Sequence, residues 1–105
     1  MSYLIVLVTT PDRKTSEIIS KGLISKKLAA CVNRISGIHS RYRWKGKVET
    51  AREELLLIKT RSSRLAALTQ WVRKNHPYEV CEVVALPIQG GNKAYLDWIS
   101  KSLKR

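Results

Sequence analysis

Seven segments in the order β-α-β-β-α-β-α, a hairpin-like stretch at Ser40–Thr60, and apolar residues on both parities of several strands predict an α+β fold. The order is that of the ferredoxin-like βαββαβ sandwich, with right-handed crossovers and an extra C-terminal helix. At 105 residues and 12.0 kDa the chain has room for one domain, residues 1–105, around a single modest core.

Tyr3–Thr9 is a continuous apolar run, as expected of a strand buried on both faces. Thr10-Pro11-Asp12 then reads as a helix start, with a hydroxyl cap, Pro at the first helical position and an acid in the first turn. Ile18, Ile19, Leu23 and Leu28 carry the apolar stripe of that helix. A second strand is expected from about Ala29 to Trp44, with Gly37 as a candidate bulge. The stretch AREELLLI also fits a helical turn or two, but the β-branched and aromatic content before Lys45-Gly46 favours strand. A two-residue turn there would set Trp44 opposite Lys47 and Tyr42 opposite Glu49, crowding those four side chains onto one face of the hairpin tip.

Deeper in the hairpin, Leu55 and Leu57 point one way while Leu56 and Ile58 point the other. Ser62 or Ser63 is the expected cap of the next helix, whose stripe is Leu65, Leu68, Trp71 and Val72 and which His76-Pro77 stops. Glu79–Ile88 reads as the fourth strand, again apolar on both parities. Gly90-Gly91-Asn92 is a turn and cap, and a last helix presents Tyr95, Leu96, Ile99 and Leu103 at helical spacing. With helices on one face of the sheet, the other would expose far more than the roughly 400 Å² of apolar patch that soluble surfaces tolerate. A further subunit is the simplest cover.

Twenty Lys+Arg against eight Asp+Glu give a formal charge of +12. Such a charge attracts nucleic acid or anionic membrane without selecting either, and the bases are scattered along the chain as on a solvated surface. RNA-recognition domains share the βαββαβ plan and stack bases on aromatics of the first and third strands. Here the runs LIVLVTT and EELLLIKT hold no aromatic residue, so no specific nucleic acid is expected. A small acyl-phosphate hydrolase would need a glycine-rich loop after the first strand, and Thr9–Arg13 offers Arg13 but no glycine. No run is long enough to cross a bilayer as a helix, so no membrane insertion is expected. Cys31 and Cys81 are too few for a disulfide scaffold, which points to a cytoplasmic compartment.

Cys31, His39, His76 and Cys81 are the candidate metal ligands, but none has zinc-type spacing. Both thiols read as core residues, and His39 lies among arginines. His76, at a helix end within His76-Pro77-Tyr78-Glu79, is the better candidate. Glu82 and Lys59 are charged groups in otherwise apolar strands and call for partners, each other or a ligand. No catalytic triad order, phosphate-binding loop or glycosidase-type carboxylate pair is present, so no enzyme activity is expected.

LAACVN at 28–33, YRWKGKVE at 42–49, EELLLIKT at 53–60, HPYEVCEVVALPI at 76–88 and YLDWI at 95–99 resemble the CutA divalent-cation-tolerance family over nearly the whole chain. The resemblance implies a ferredoxin-like protomer, a PII-like homotrimer and a role in divalent metal, chiefly copper, tolerance or response. It implies no resident cofactor, with Cu²⁺ or another divalent cation as the ion to expect. Residues matching the family's cleft between subunits are Tyr42, Trp44, Lys47, Glu49, Lys59, Tyr78, Glu79 and Glu82, with His76 as the metal ligand. Members proposed to bind copper carry a Cys near the end of the first strand and a His pair before the fourth. This chain has Val8 or Thr9 and Asn75-His76 there, and Cys81 where the family has Pro.

Overall fold

A computed structural model describes residues 2–105 of the chain. Its elements are β1 (Tyr3–Thr10), α1 (Arg13–Ser25), β2 (Cys31–Trp44), β3 (Lys47–Arg61), α2 (Leu65–Asn75), β4 (Val84–Pro87) and α3 (Lys93–Ser102). The sheet order is β2-β3-β1-β4 and every neighbouring pair is antiparallel, which is the α+β plan expected from the element order.

The hairpin forms in the expected register, with Trp44 opposite Lys47 and Tyr42 opposite Glu49. Lys45 and Gly46 both adopt positive φ in the turn (50° and 78°), the backbone hand that matches strand twist in a two-residue loop. Gly37 is the bulge: the β2–β3 register shifts between Ile35 and Ile38, and Gly37 sits at φ 76°. β1 pairs with β3 only from Arg61 to Glu54, so the remainder of the β2–β3 hairpin projects beyond the sheet as a two-stranded ribbon.

One sheet face is closed by α1 and α2. Val6, Val8, Leu56 and Ile58 lie fully buried there against Ile19, Leu23, Leu68 and Val72. The two helices approach closely at Gly22, where an added Cβ would fall 1.9 Å from the Trp71 ring, and the indole N–H donates to Ile19 O at 3.0 Å. The opposite parity, with Ile5, Leu7, Leu55 and Leu57 half-buried and Val84 and Leu86 exposed, forms the open face. The extra helix α3 reaches one end of this face: Ser100 Oγ bonds the Tyr3 hydroxyl at 2.8 Å and accepts from Arg61 at 2.7 Å.

Four local expectations change. The α1 cap is Asp12, whose carboxylate accepts from Thr15 N at 2.8 Å, while Thr10 remains in the strand and bonds Ser16 Oγ at 2.6 Å. Ile18 is 44% exposed because it lies off the stripe defined by Ile19 and Leu23. Neither Ser62 nor Ser63 caps α2; they form a single 3₁₀ turn, Ser62–Arg64, with no side-chain cap. The fourth strand is only Val84–Pro87, against an expected Glu79–Ile88. Its ladder on β1 ends at Leu7, and the residues before Val84 bend away so that Cys81 and Val83 pack against the core instead of pairing.

Candidate functional site

Alternation along the ribbon places Tyr42 and Trp44 on β2 and Lys47, Glu49 and Glu53 on β3 on the side continuous with the open face. The loop after α2 closes on the same region. It is anchored by His76, which is 8% exposed and terminates the helix with extended backbone. The Thr9 carbonyl lies 2.8 Å from His76 Nε2, so Nε2 carries the proton and donates. Nδ1 then accepts from the Tyr78 amide at 3.2 Å, and the two rings meet in a tilted contact, 4.6 Å between centroids and 54° between planes.

With its backbone fixed, Tyr78 reaches across to β3 and donates its hydroxyl to Glu53 Oε2 at 2.7 Å. Glu53 is 5% exposed, a carboxylate largely withdrawn from water and held by one short hydrogen bond. Burial pushes the Tyr78 hydroxyl well above the usual phenol range, and the Glu53 carboxylate and neighbouring Tyr42 push it further. Glu82 is exposed, but partial desolvation still raises its carboxyl, with the negative charge of Glu53 adding to it. Two carboxyls, a phenol and a second tyrosine thus share one corner, where a cation or a hydrogen-bond donor would relieve the repulsion.

The other expected residues are spread around this corner. Glu79 is exposed beside the ribbon turn, 3.9 Å from Lys45 Nζ. Trp44, Lys47 and Glu49 are exposed near the tip, and Lys45 lies 5.6 Å from the Trp44 ring centroid. Lys59 stands apart, six residues up β3 from Glu53 and so about 20 Å away. Its ammonium donates to Asn33 Oδ1 and not to Glu82. Cys31 Sγ approaches the same Asn33 oxygen at 3.7 Å, whereas Cys81 packs on the core.

Two points revise the sequence reading. His76 has both ring nitrogens engaged, so a metal at that ring would have to displace the Tyr78 amide from Nδ1. Among the described residues no group of three His, Cys, Asp or Glu side chains is placed to hold a metal ion. Glu53 was not anticipated, although a signal existed. Glu53 and Glu54 are consecutive acids in an apolar strand, so they must face opposite sides and each must find a partner. Glu54 finds Arg34 at 2.7 Å and Ser36 at 3.1 Å under α1, while Glu53 finds Tyr78.

A family model described as CutA1 divalent ion tolerance protein matches residues 4–102. The chain is 52% identical over 101 residues to the rice protein named CutA 1, chloroplastic, covering 96% of this chain and 57% of that one. It is 45% identical over 98 residues to the divalent-cation tolerance protein CutA of Thermus thermophilus, covering 93% and 95%. It therefore spans little more than half the length of the plant relative and nearly all of the bacterial one. The crystal structure of CutA1 from Oryza sativa superposes with a TM-score of 0.93 at 52% identity, over 97% of this chain and 94% of that one.

Proposed function

The chain belongs to the CutA1 divalent ion tolerance family, and from that premise we propose that it acts as a homotrimer that binds a small ligand or a divalent cation in a cleft between subunits. One observation carries the reading: the exposed apolar face of the sheet runs directly into the Glu53–Tyr78–Glu82 corner. A subunit laid over Ile5, Leu7, Leu55, Leu57, Val84 and Leu86 would remove that apolar surface from water and roof the corner at the same time. Tyr42, Trp44, Lys47 and Glu49 on the projecting ribbon are then the side chains able to reach a ligand from its rim. Lys59 and Glu79 extend the polar set at its two ends.

The role is binding and not catalysis. The corner offers carboxyl and phenol oxygens, which suit a cation or a donor-rich small molecule, but no nucleophile paired with a base. His76 positions Tyr78 through its amide, and becomes a copper ligand only if Nδ1 is released. Two free thiols, Cys31 and Cys81, favour a reducing compartment such as the cytoplasm.

Sedimentation of dilute protein should give a mass about three times that of the 12.0 kDa chain; a stable folded monomer would overturn the cleft together with the trimer. Calorimetric titration with Cu²⁺ of the wild type and His76→Ala separates the ligands. Identical isotherms would remove His76 from the metal site, and loss of heat only in Glu53→Gln would assign the ion to the carboxyl corner.

A further inference from the structure

The projecting ribbon has a second face, which neither the core nor the cleft uses. By register, His39, Arg41 and Arg43 on β2 and Val48, Thr50 and Arg52 on β3 point away from Tyr42, Trp44, Lys47 and Glu49. All six are exposed, and no carboxylate stands among them. Cross-strand neighbours on a sheet surface are ordinarily stabilised by opposite charges. Here His39 faces Arg52, Arg41 faces Thr50 and Arg43 faces Val48.

Arg34, on the same strand below the bulge, is paired with Glu54 at 2.7 Å. Above the bulge, Arg41, Arg43 and Arg52 make no hydrogen bond or ion pair with any described residue. Arg41 and Arg52, with His39 and Thr50 of the same face, border an open groove of about 460 Å³ that Ser40 and Ala51 also line, and Arg43 stands just beyond it toward the tip. The bulge seats one wall of it: an added Cβ at Gly37 would stand 3.4 Å from Arg52 Nη2, so the guanidinium rests over bare glycine backbone.

Guanidinium and hydroxyl donors with no acidic neighbour select an anion. The planar arginine fork matches the oxygens of a phosphate bidentately. Arg41 and Arg43, two residues apart on one strand, project about 7 Å from each other, and Arg52 stands across the ladder diagonally from Arg41. Three forks at that spacing outnumber what one phosphate accepts and suit phosphates joined in one molecule. The set is too short to form the long phosphate track of a nucleic-acid surface. Val48 is the one apolar side chain on this face, which gives a bilayer little to hold.

We propose that the outer face of the β2–β3 ribbon is a binding site for a soluble linear oligophosphate, held by Arg41, Arg43 and Arg52 with Thr50 and His39 at its edge. The site lies on the opposite side of the ribbon from the cleft, so it stands or falls independently of the trimeric reading.

Calorimetric titration with sodium tripolyphosphate at about 0.15 M salt tests it, since diffuse attraction to a highly basic chain is largely screened there. Arg41→Gln and Arg52→Gln are each expected to weaken binding about tenfold, the loss of one charge-assisted hydrogen-bonded contact. Arg52→Lys, which keeps the charge but not the fork, should lose several-fold. Arg73→Gln on α2, with the same change in net charge, should stay within about twofold of wild type, and orthophosphate should bind about a hundredfold more weakly than tripolyphosphate. Equal losses in Arg41→Gln, Arg52→Gln and Arg73→Gln, or orthophosphate binding as tightly as tripolyphosphate, would overturn the site. Tighter binding of a short DNA duplex or of phosphatidylserine vesicles with the same arginine dependence would replace the ligand class. Cu²⁺ isotherms and sedimentation mass, recorded on the same variants, should not change.

Discussion

The two faces of the four-stranded sheet are made from nearly the same residues, yet only one is finished. Val6, Val8, Leu56 and Ile58 are sealed under α1 and α2. One residue along each strand, Ile5, Leu7, Leu55 and Leu57 are only half-covered, and Val84 and Leu86 on the edge strand are 46% and 48% exposed. Hydrophobicity does not distinguish the faces; chain connectivity does. Right-handed crossovers put both long helices on one side, and α3 reaches the other side only at the Tyr3–Arg61 end. The closed face is therefore a property of the single chain, and the open face a demand on something outside it.

The sharpest way to break the closed side is Gly22→Ala. The new methyl occupies the place of the Trp71 ring, and moving that ring also breaks its bond to Ile19 O. A loss of about 3 kcal/mol is expected in urea unfolding. Leu56→Ala and Leu57→Asp, adjacent in sequence, then compare the faces directly. The first should cost about 3 kcal/mol through a core cavity without altering assembly. On the proposed trimer, the second should leave the secondary structure in place, read by circular dichroism, and reduce the sedimenting mass to that of a single chain.

A smaller effect separates two acids, Glu54 on β3 and Glu82 in the segment before β4. Burial raises Glu54, but bonds from Ser16 and Ser36 and the adjacent Arg34 outweigh it and hold that carboxyl below its usual range. Its stabilisation is present above the unfolded-state value and disappears as pH falls through the lower folded-state value. Glu82 has the opposite sign: raised by partial desolvation and by Glu53, it favours the fold below its unfolded-state value and loses that contribution as pH rises through the higher folded one. Glu82→Gln should thus match wild type in acid and exceed it at neutral pH, measured as melting temperature against pH. Smallest of all, Ile18→Ser should change stability by no more than about 0.5 kcal/mol, because this side chain never joined the core.

Much of the fold could be read from the sequence because alternation and turn chemistry are local. The hairpin register followed from Gly46 and the two-residue turn, the bulge from Gly37, and the end of α2 from His76-Pro77. β4 was overextended because an apolar run does not reveal whether its residues pair or pack. Cys81 and Val83 pack, since β1 offers ladder partners only from Leu4 to Leu7. For the proposed cleft the sequence offers candidate residues but no geometry. Tyr78 and Glu82 each interact with Glu53, and the Tyr78–Glu53 bond spans 25 residues of sequence that no local pattern encodes. Lys59 and Glu82, the one pair that charge alone suggested, do not bond each other: Lys59 lies on β3 and bonds Asn33, while Glu82 precedes β4 and is influenced by Glu53.

The ribbon beyond Glu53 leans on no third strand. Two strands without a packed layer are barely stable alone in water, so these amides should trade deuterium far sooner than those of β1, and a protease should nick this arm first. Anything that grips either side of the arm, oligophosphate without or subunit within, would slow both processes there, leaving the core amides as an internal clock.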